Sequence, residues 1–169
     1  FTPFGVWQPI EIPTTTLSVF NPVLVNWTIV PATTTGIQEY GTYELGDIKL
    51  TQAVYVGNGK SYYPHSNDQD TNKALGSRIG VIVPFGSKDT DGFQAGINGY
   101  IGRDSTDDND YQEKAFGLDT RLDLFDVTLR FETIKSRTNE DDFVPGIEEG
   151  HVWRFAWFGQ LSYNFLEKY

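Results

Sequence analysis

From Ile37 onward the chain alternates. Leu75, Ser77, Ile79, Val81 and Val83 fall on one side of an extended backbone, and Gly76, Arg78, Gly80 and Ile82 fall on the other. A period of two marks a β-strand with two unlike faces. The same period predicts strands over Ile37–Leu45, Ile48–Val56, Leu75–Val83, Phe93–Arg103, Glu113–Leu124, Val127–Ser136 and His151–Phe165. Tight turns are expected at Gly46-Asp47 and Phe125-Asp126, and a shorter connection at 84–92. Long polar loops are expected at 57–74, 104–112 and 137–150. Residues 1–36 carry prolines at 3, 9, 13, 22 and 31, which remove ladder donors, so this stretch reads as irregular, with one short strand fitting Thr16–Phe20 or Val23–Val30. No helical period stands out.

The alternation sorts the side chains. One face collects Lys49, Arg78, Gln94, Asn98, Asp119, Arg121, Asp123, Arg130, Glu132 and Arg154. The other collects Leu75, Ile79, Val81, Val83, Phe116, Leu118, Leu122 and Trp157. A soluble antiparallel sandwich would turn the oily face inward. A membrane barrel would turn it toward lipid and leave the charged face to line a lumen. Three features favour the barrel. Several strands reach about ten residues, which matches a tilted membrane span. Long loops and short connections alternate, so in an up-and-down meander all the long loops gather at one end. The polar face carries opposite charges spaced to meet across strands. The expected fold is therefore all-β: an antiparallel up-and-down meander of a transmembrane β-barrel. It has about seven or eight strands in this chain, forming a single barrel unit or barrel fragment over residues 1–169.

Composition adds limits. The chain has 169 residues, 15% of them aromatic, and 17 glycines. Aromatic and glycine richness suits β-structure and the aromatic girdles of barrels. A net charge of −10 argues against a nucleic-acid partner, since phosphate binding calls for an excess of Lys and Arg. With no cysteine, disulfides and zinc–thiolate sites are excluded. No run of about 18 apolar residues predicts a membrane helix, and barrel strands need none.

Several stretches also carry a resemblance: "FTPFG" at Phe1–Gly5, "TGIQEYGTYELGDIKLTQAVYVGNG" at Thr35–Gly59 and "NKALGSRIGV" at Asn72–Val81. In this order they resemble the middle of a bacterial outer-membrane porin of the phosphate-selective-porin-like group. The resemblance covers most of residues 1–103 and continues as pattern alone to 169. It implies passive diffusion of small, including anionic, solutes through the bacterial outer membrane. It also implies contact with outer-membrane lipid, no cofactor, and often a homotrimer. Such porins have about 16–18 strands, whereas about eight make a barrel filled by its own side chains. The chain is thus expected to be a fragment of a longer porin, with a small eight-stranded relative as the alternative.

Chemistry is sparse. No nucleophile elbow is present. Asp119 and Asp123 lie four apart on one strand face, roughly 13 Å by strand rise, which is too far for a carboxylate pair acting on one bond. Arg121 stands between them, so a structural charge ladder is expected. His65 and His151 read as exposed polar residues. The calcium-loop pattern beginning at Asp68 fails, with Lys73 where glycine is required and Ile79 where glutamate is required. A loose calcium site at 67–72, on Asp68 and Asp70, or at 104–110 stays open beside plain solvated loop. Arg78, Arg121, Arg130 and Arg154, with Lys49, would favour anions in a pore unless the acids on the same face neutralise them. The reading is of a non-enzyme. Two alternatives remain. One is a soluble carbohydrate-binding module using Trp153, Trp157, Tyr62 and Tyr63. The other is a barrel sleeve around an electron-transfer cytochrome, or a surface structural protein.

Overall fold

A computed structural model describes residues 36–58, 72–85, 91–105, 110–140 and 150–163. They form seven strands: β1 (Gly36–Leu45), β2 (Ile48–Gly57), β3 (Ala74–Pro84), β4 (Gly92–Ser105), β5 (Asp110–Leu124), β6 (Val127–Glu140) and β7 (Gly150–Tyr163). Every strand pairs antiparallel with its neighbours in sequence, giving one sheet in the order β1-β2-β3-β4-β5-β6-β7. Among the described residues the sheet is open, with β1 and β7 at its edges. Residues 1–35, of the stretch expected to be irregular, lie outside the described residues, as do His65, Asp68, Asp70 and the tyrosines at 62 and 63.

All seven strands expected from the alternation are present. Two of the expected loops are shorter than the residue pattern implies. β4 and β5 stay paired out to Ser105↔Asp110, and β6 and β7 out to Glu140↔Gly150. The expected loops at 104–112 and 137–150 therefore lose their ends to the ladder. Backbone hydrogen bonding does not depend on side-chain polarity, so hairpins continue past the point where the apolar alternation stops.

The two tight turns are where the sequence puts them. Gly46 has φ 63°, and Phe125 has φ 59°. A positive φ at the first of two turn residues is what the primed hairpin turns need, because their twist matches that of the strands they join. Glycine takes it freely and phenylalanine does not. The Phe125 turn is held from outside. Its backbone N–H donates to Oδ1 of buried Asp91 at 3.0 Å, and Asp91 also accepts from the Phe85 N–H through its carbonyl at 3.2 Å.

The two faces differ in an unusual direction. Asp119 is 0% exposed, and Asn98 and Glu132 are 2% exposed, whereas Ile79 is 60% and Trp157 68% exposed. The charged face is buried and the aliphatic and aromatic face is open. The buried apolar residues, Tyr55, Ala74, Tyr100, Ala115, Ile134 and Ala156, also lie on the charged face. Large side chains there lie flat over glycines: a Cβ on Gly76 would strike the Tyr55 ring, and one on Gly102 would strike Tyr100.

Candidate functional site: the charged inner face

Register decides which charges can meet. One row across the sheet runs Thr42, Thr51, Gly80, Gly96, Asp119, Glu132 and Phe158. The next inner row runs Tyr40, Ala53, Arg78, Asn98, Gly117, Ile134 and Ala156. Arg78 on β3 and Asp119 on β5 are thus separated by β4. They nevertheless form a two-pronged pair. Nη2 of Arg78 donates to Oδ1 of Asp119 at 2.6 Å, and Nε donates to Oδ2 at 3.2 Å. The residue beneath the guanidinium is Gly96, where a Cβ would lie 2.6 Å from Nη2 of Arg78 and 2.9 Å from Oδ2 of Asp119. The missing side chain is the passage through which the ion pair forms.

Asn98, on β4, completes the carboxylate shell by donating to Oδ2 of Asp119 at 2.8 Å. A longer contact of 3.5 Å runs from Nη1 of Arg78 to Oγ1 of Thr51 on β2. An ionised group this deeply buried persists only when it is paired and its remaining acceptor sites are hydrogen-bonded. Asp119 meets both conditions.

A second group sits nearer the turn end of β5. Arg121 donates to Asp123 from Nε at 2.6 Å and from Nη2 at 3.1 Å, and Thr128 donates its hydroxyl to Asp123 at 2.6 Å. At the other end, Nη1 of Arg154 on β7 donates to Thr138 at 2.6 Å and stands 3.9 Å from Glu113 on β5. This contact again skips one strand. Lys49 pairs with Glu44 at 3.4 Å across the exposed β1–β2 hairpin.

These pairings correct two expectations. Asp119, Arg121 and Asp123 do not form one ladder: Asp119 turns to Arg78, and Arg121 takes Asp123 alone. Opposite charges meet as direct cross-strand neighbours at Lys49 and Glu44, but not between β5 and β6. Between β5 and β6 the directly opposed residues carry like charges, Asp119 with Glu132 and Arg121 with Arg130. The guanidinium stem is long enough to reach along its own strand or over a glycine to the next strand but one, and those routes are the ones used.

Of the residues expected on the polar face, Arg78, Asn98, Asp119, Arg130 and Glu132 are buried, and Gln94, Arg121, Asp123 and Arg154 are half-buried. Lys49 is exposed. On the opposite face Leu75, Ile79, Phe116, Leu118 and Trp157 are exposed, while Val81, Val83 and Leu122 are half-buried. The structure therefore brings Arg78, Asn98 and Asp119 into one cluster and leaves Lys49 apart. Thr51, Glu113, Thr128 and Thr138 also belong to the inner networks. Their position on the polar side follows from parity, but their partners depend on register. His151 is exposed on β7.

Among the described residues no three His, Asp or Glu side chains converge to hold a metal ion, and no helix is long and apolar enough to cross a membrane, which says nothing of a β-barrel. Comparison with protein-family models, curated proteins and solved structures finds no match to this chain.

Proposed function

We propose that the chain forms part of the wall of a bacterial outer-membrane β-barrel of the porin kind, with its oily face against lipid and its charged face toward the interior. One observation carries the reading: the direction of burial. Water-soluble chains rarely leave a contiguous apolar patch larger than a few hundred Å². Here Ile79, Ile97, Leu118 and Trp157 stand exposed in one row with Gly41, Gln52 and Thr133, and further exposed rows flank it. Lipid is the solvent that favours such a face, while a closed interior favours the charges.

Dimensions support the same reading. On β4 the outward apolar residues run from Phe93 to Ile101. At about 3.3 Å per residue and a tilt of about 40°, they cover about 20 Å of bilayer depth, close to the apolar band of such barrels. The exposed Trp153, Phe155 and Tyr163 of β7 would contribute to interfacial girdles.

The transported species is a small solute moving by passive diffusion, with weak preference for either sign of charge. On the inner face Lys49, Arg78, Arg121, Arg130 and Arg154 are matched by Glu44, Glu113, Asp119, Asp123 and Glu132. Arg78 and Arg121, moreover, point their charge at carboxylates rather than at open space. The anion preference suggested by the arginines alone is thereby weakened, and structural pairing is favoured. The test is planar-bilayer recording with the full chain. Stepwise conductance supports the channel, and a reversal potential close to zero in a salt gradient supports the balanced wall. Insertion into the bilayer without conductance would sink the channel and favour a barrel that only encloses a partner.

A further inference from the structure

β1 is paired on one side. Its ladder with β2 runs from Gly36↔Gly57 to Leu45↔Ile48, and among the described residues no strand pairs with its other edge. In an antiparallel pair every second residue turns its N–H and C=O away from the partner. Along the ten residues of β1 a row of such groups therefore points past the sheet. Hydrocarbon offers them no partner, so a strand beside lipid is not left with a bare edge. The side chains report the same gap. Tyr40 shares the inward parity of the buried Tyr55 and Tyr100, yet it is 79% exposed.

Direction limits what can fill the place. β1 and β7 are six antiparallel steps apart, so they run the same way. Strands of membrane barrels pair antiparallel. A second copy inserted the same way up would offer its β7 to β1 in parallel. Pairing β1 with the β1 of a second copy would turn one of the two upside down in the bilayer. In an up-and-down meander the strand beside β1 is the one that precedes it in the chain.

We propose that residues 23–30, "VLVNWTIV", pair antiparallel with the free edge of β1. The proposal rests on the membrane reading above. The stretch is free of proline, with Pro22 and Pro31 just outside it. Residues 31–35, "PATTT", make a connection of ordinary hairpin length. Closing the hairpin on that connection sets Ile29 opposite Ile37, Trp27 opposite Glu39, Val25 opposite Gly41 and Val23 opposite Tyr43. Directly paired residues share a face. Val23, Val25, Trp27 and Ile29 thereby extend the outward face, with Val25 in the row of Gly41, Ile79, Ile97 and Leu118. Asn26 falls beside Tyr40 and Thr28 beside Gln38 on the inner face, with Leu24 and Val30 toward the ends. A slip of one residue would reverse both sets. The alternation of the segment and that of β1 therefore agree in this register. The other early candidate, Thr16–Phe20, is half the length of β1 and stands fifteen residues before it.

Paired cysteines test the register, since the chain has none of its own. Gly41 has room for a side chain, with Nε2 of Gln52 the nearest atom to a Cβ at 3.5 Å. In the full chain folded into phosphatidylcholine vesicles, V25C/G41C should oxidise to a cross-link within one chain for most of the protein. Gel mobility and mass spectrometry of the joined peptides read it. N26C/G41C puts the two cysteines on opposite faces and should cross-link far less. Equal cross-linking of the two variants, no cross-link in V25C/G41C, or a cross-link between two chains would each overturn the pairing. Should V25C/G41C fail to insert, hydrogen exchange of the unaltered chain in the same vesicles decides. Amides of 24–29 and 36–44 should exchange as slowly as those of β4, and fast exchange in either segment overturns the pairing. A full chain that does not enter vesicles at all overturns the membrane reading, which is a separate outcome from insertion without the cross-link.

Discussion

Arg78 and Asp119 lie 41 residues apart and on strands that do not touch, yet their side chains meet at 2.6 Å over Gly96. The pair ties β3 to β5 in a sheet whose backbone bonds link only neighbours, so it works against local slippage of β4. Replacing Gly96 with Ala would push a methyl group into the guanidinium. G96A is expected to cost about 3 kcal/mol, the scale of breaking a buried ion pair. Gly99 lies on the other face of the same strand, where a Cβ would meet nothing closer than the Ser77 hydroxyl at 3.6 Å. G99A should change stability by no more than about 0.5 kcal/mol. Urea unfolding of both variants in detergent micelles checks the contrast.

Asp119 holds Arg78 in a place where an unpaired cation would be expensive. D119A should destabilise by about 3–5 kcal/mol. The double replacement R78M/D119L removes both charges and should cost much less than the sum of the single changes. A double-mutant cycle measures this directly, and additive costs would show that the two residues do not act together.

The Phe125 turn offers a prediction of both signs. Phe125 adopts φ 59°, a region that costs a residue with a side chain roughly 1–2 kcal/mol. F125G should therefore raise stability by about 1 kcal/mol. D91A removes the carboxylate that accepts the Phe125 N–H, and should lower stability by about 1–3 kcal/mol. In thermal melts in micelles the two variants should shift in opposite directions.

The outward face should tolerate charge poorly. Ile79 and Ile97 are directly paired and both exposed. I97K should cost about 2–4 kcal/mol in a bilayer if this row lies near mid-depth. In a water-soluble sheet an exposed Ile-to-Lys change would cost little. Stability measured after folding into lipid vesicles separates these outcomes.

Much of the fold was legible in the residues, because period-two alternation is a local property. Leu75–Val83 declares its two faces without reference to any other strand. The strand ends were less legible, since Arg137, Thr138 and Asn139 pair in the ladder with no apolar signal to mark them. Pairing on the inner face was least legible. Parity places Arg78 and Asp119 on one side, but their meeting depends on the register of three strands and on a glycine at 96. Glycines interleaved with charges on one face, as at Gly76, Gly80, Gly96 and Gly117, are the signal from which strand-skipping pairs could have been foreseen. The like-charge neighbours Arg121 and Arg130 follow from register alone.

The central claim is the direction of the two faces, and β4 tests it with two positions. The chain has no cysteine, so I97C and Q94C each take a single nitroxide. In lipid vesicles the label at 97 should be relaxed by oxygen and protected from a water-soluble nickel chelate. The label at 94 should show the reverse. A label at 97 that is open to nickel, with the label at 94 in contact with lipid, would contradict the account.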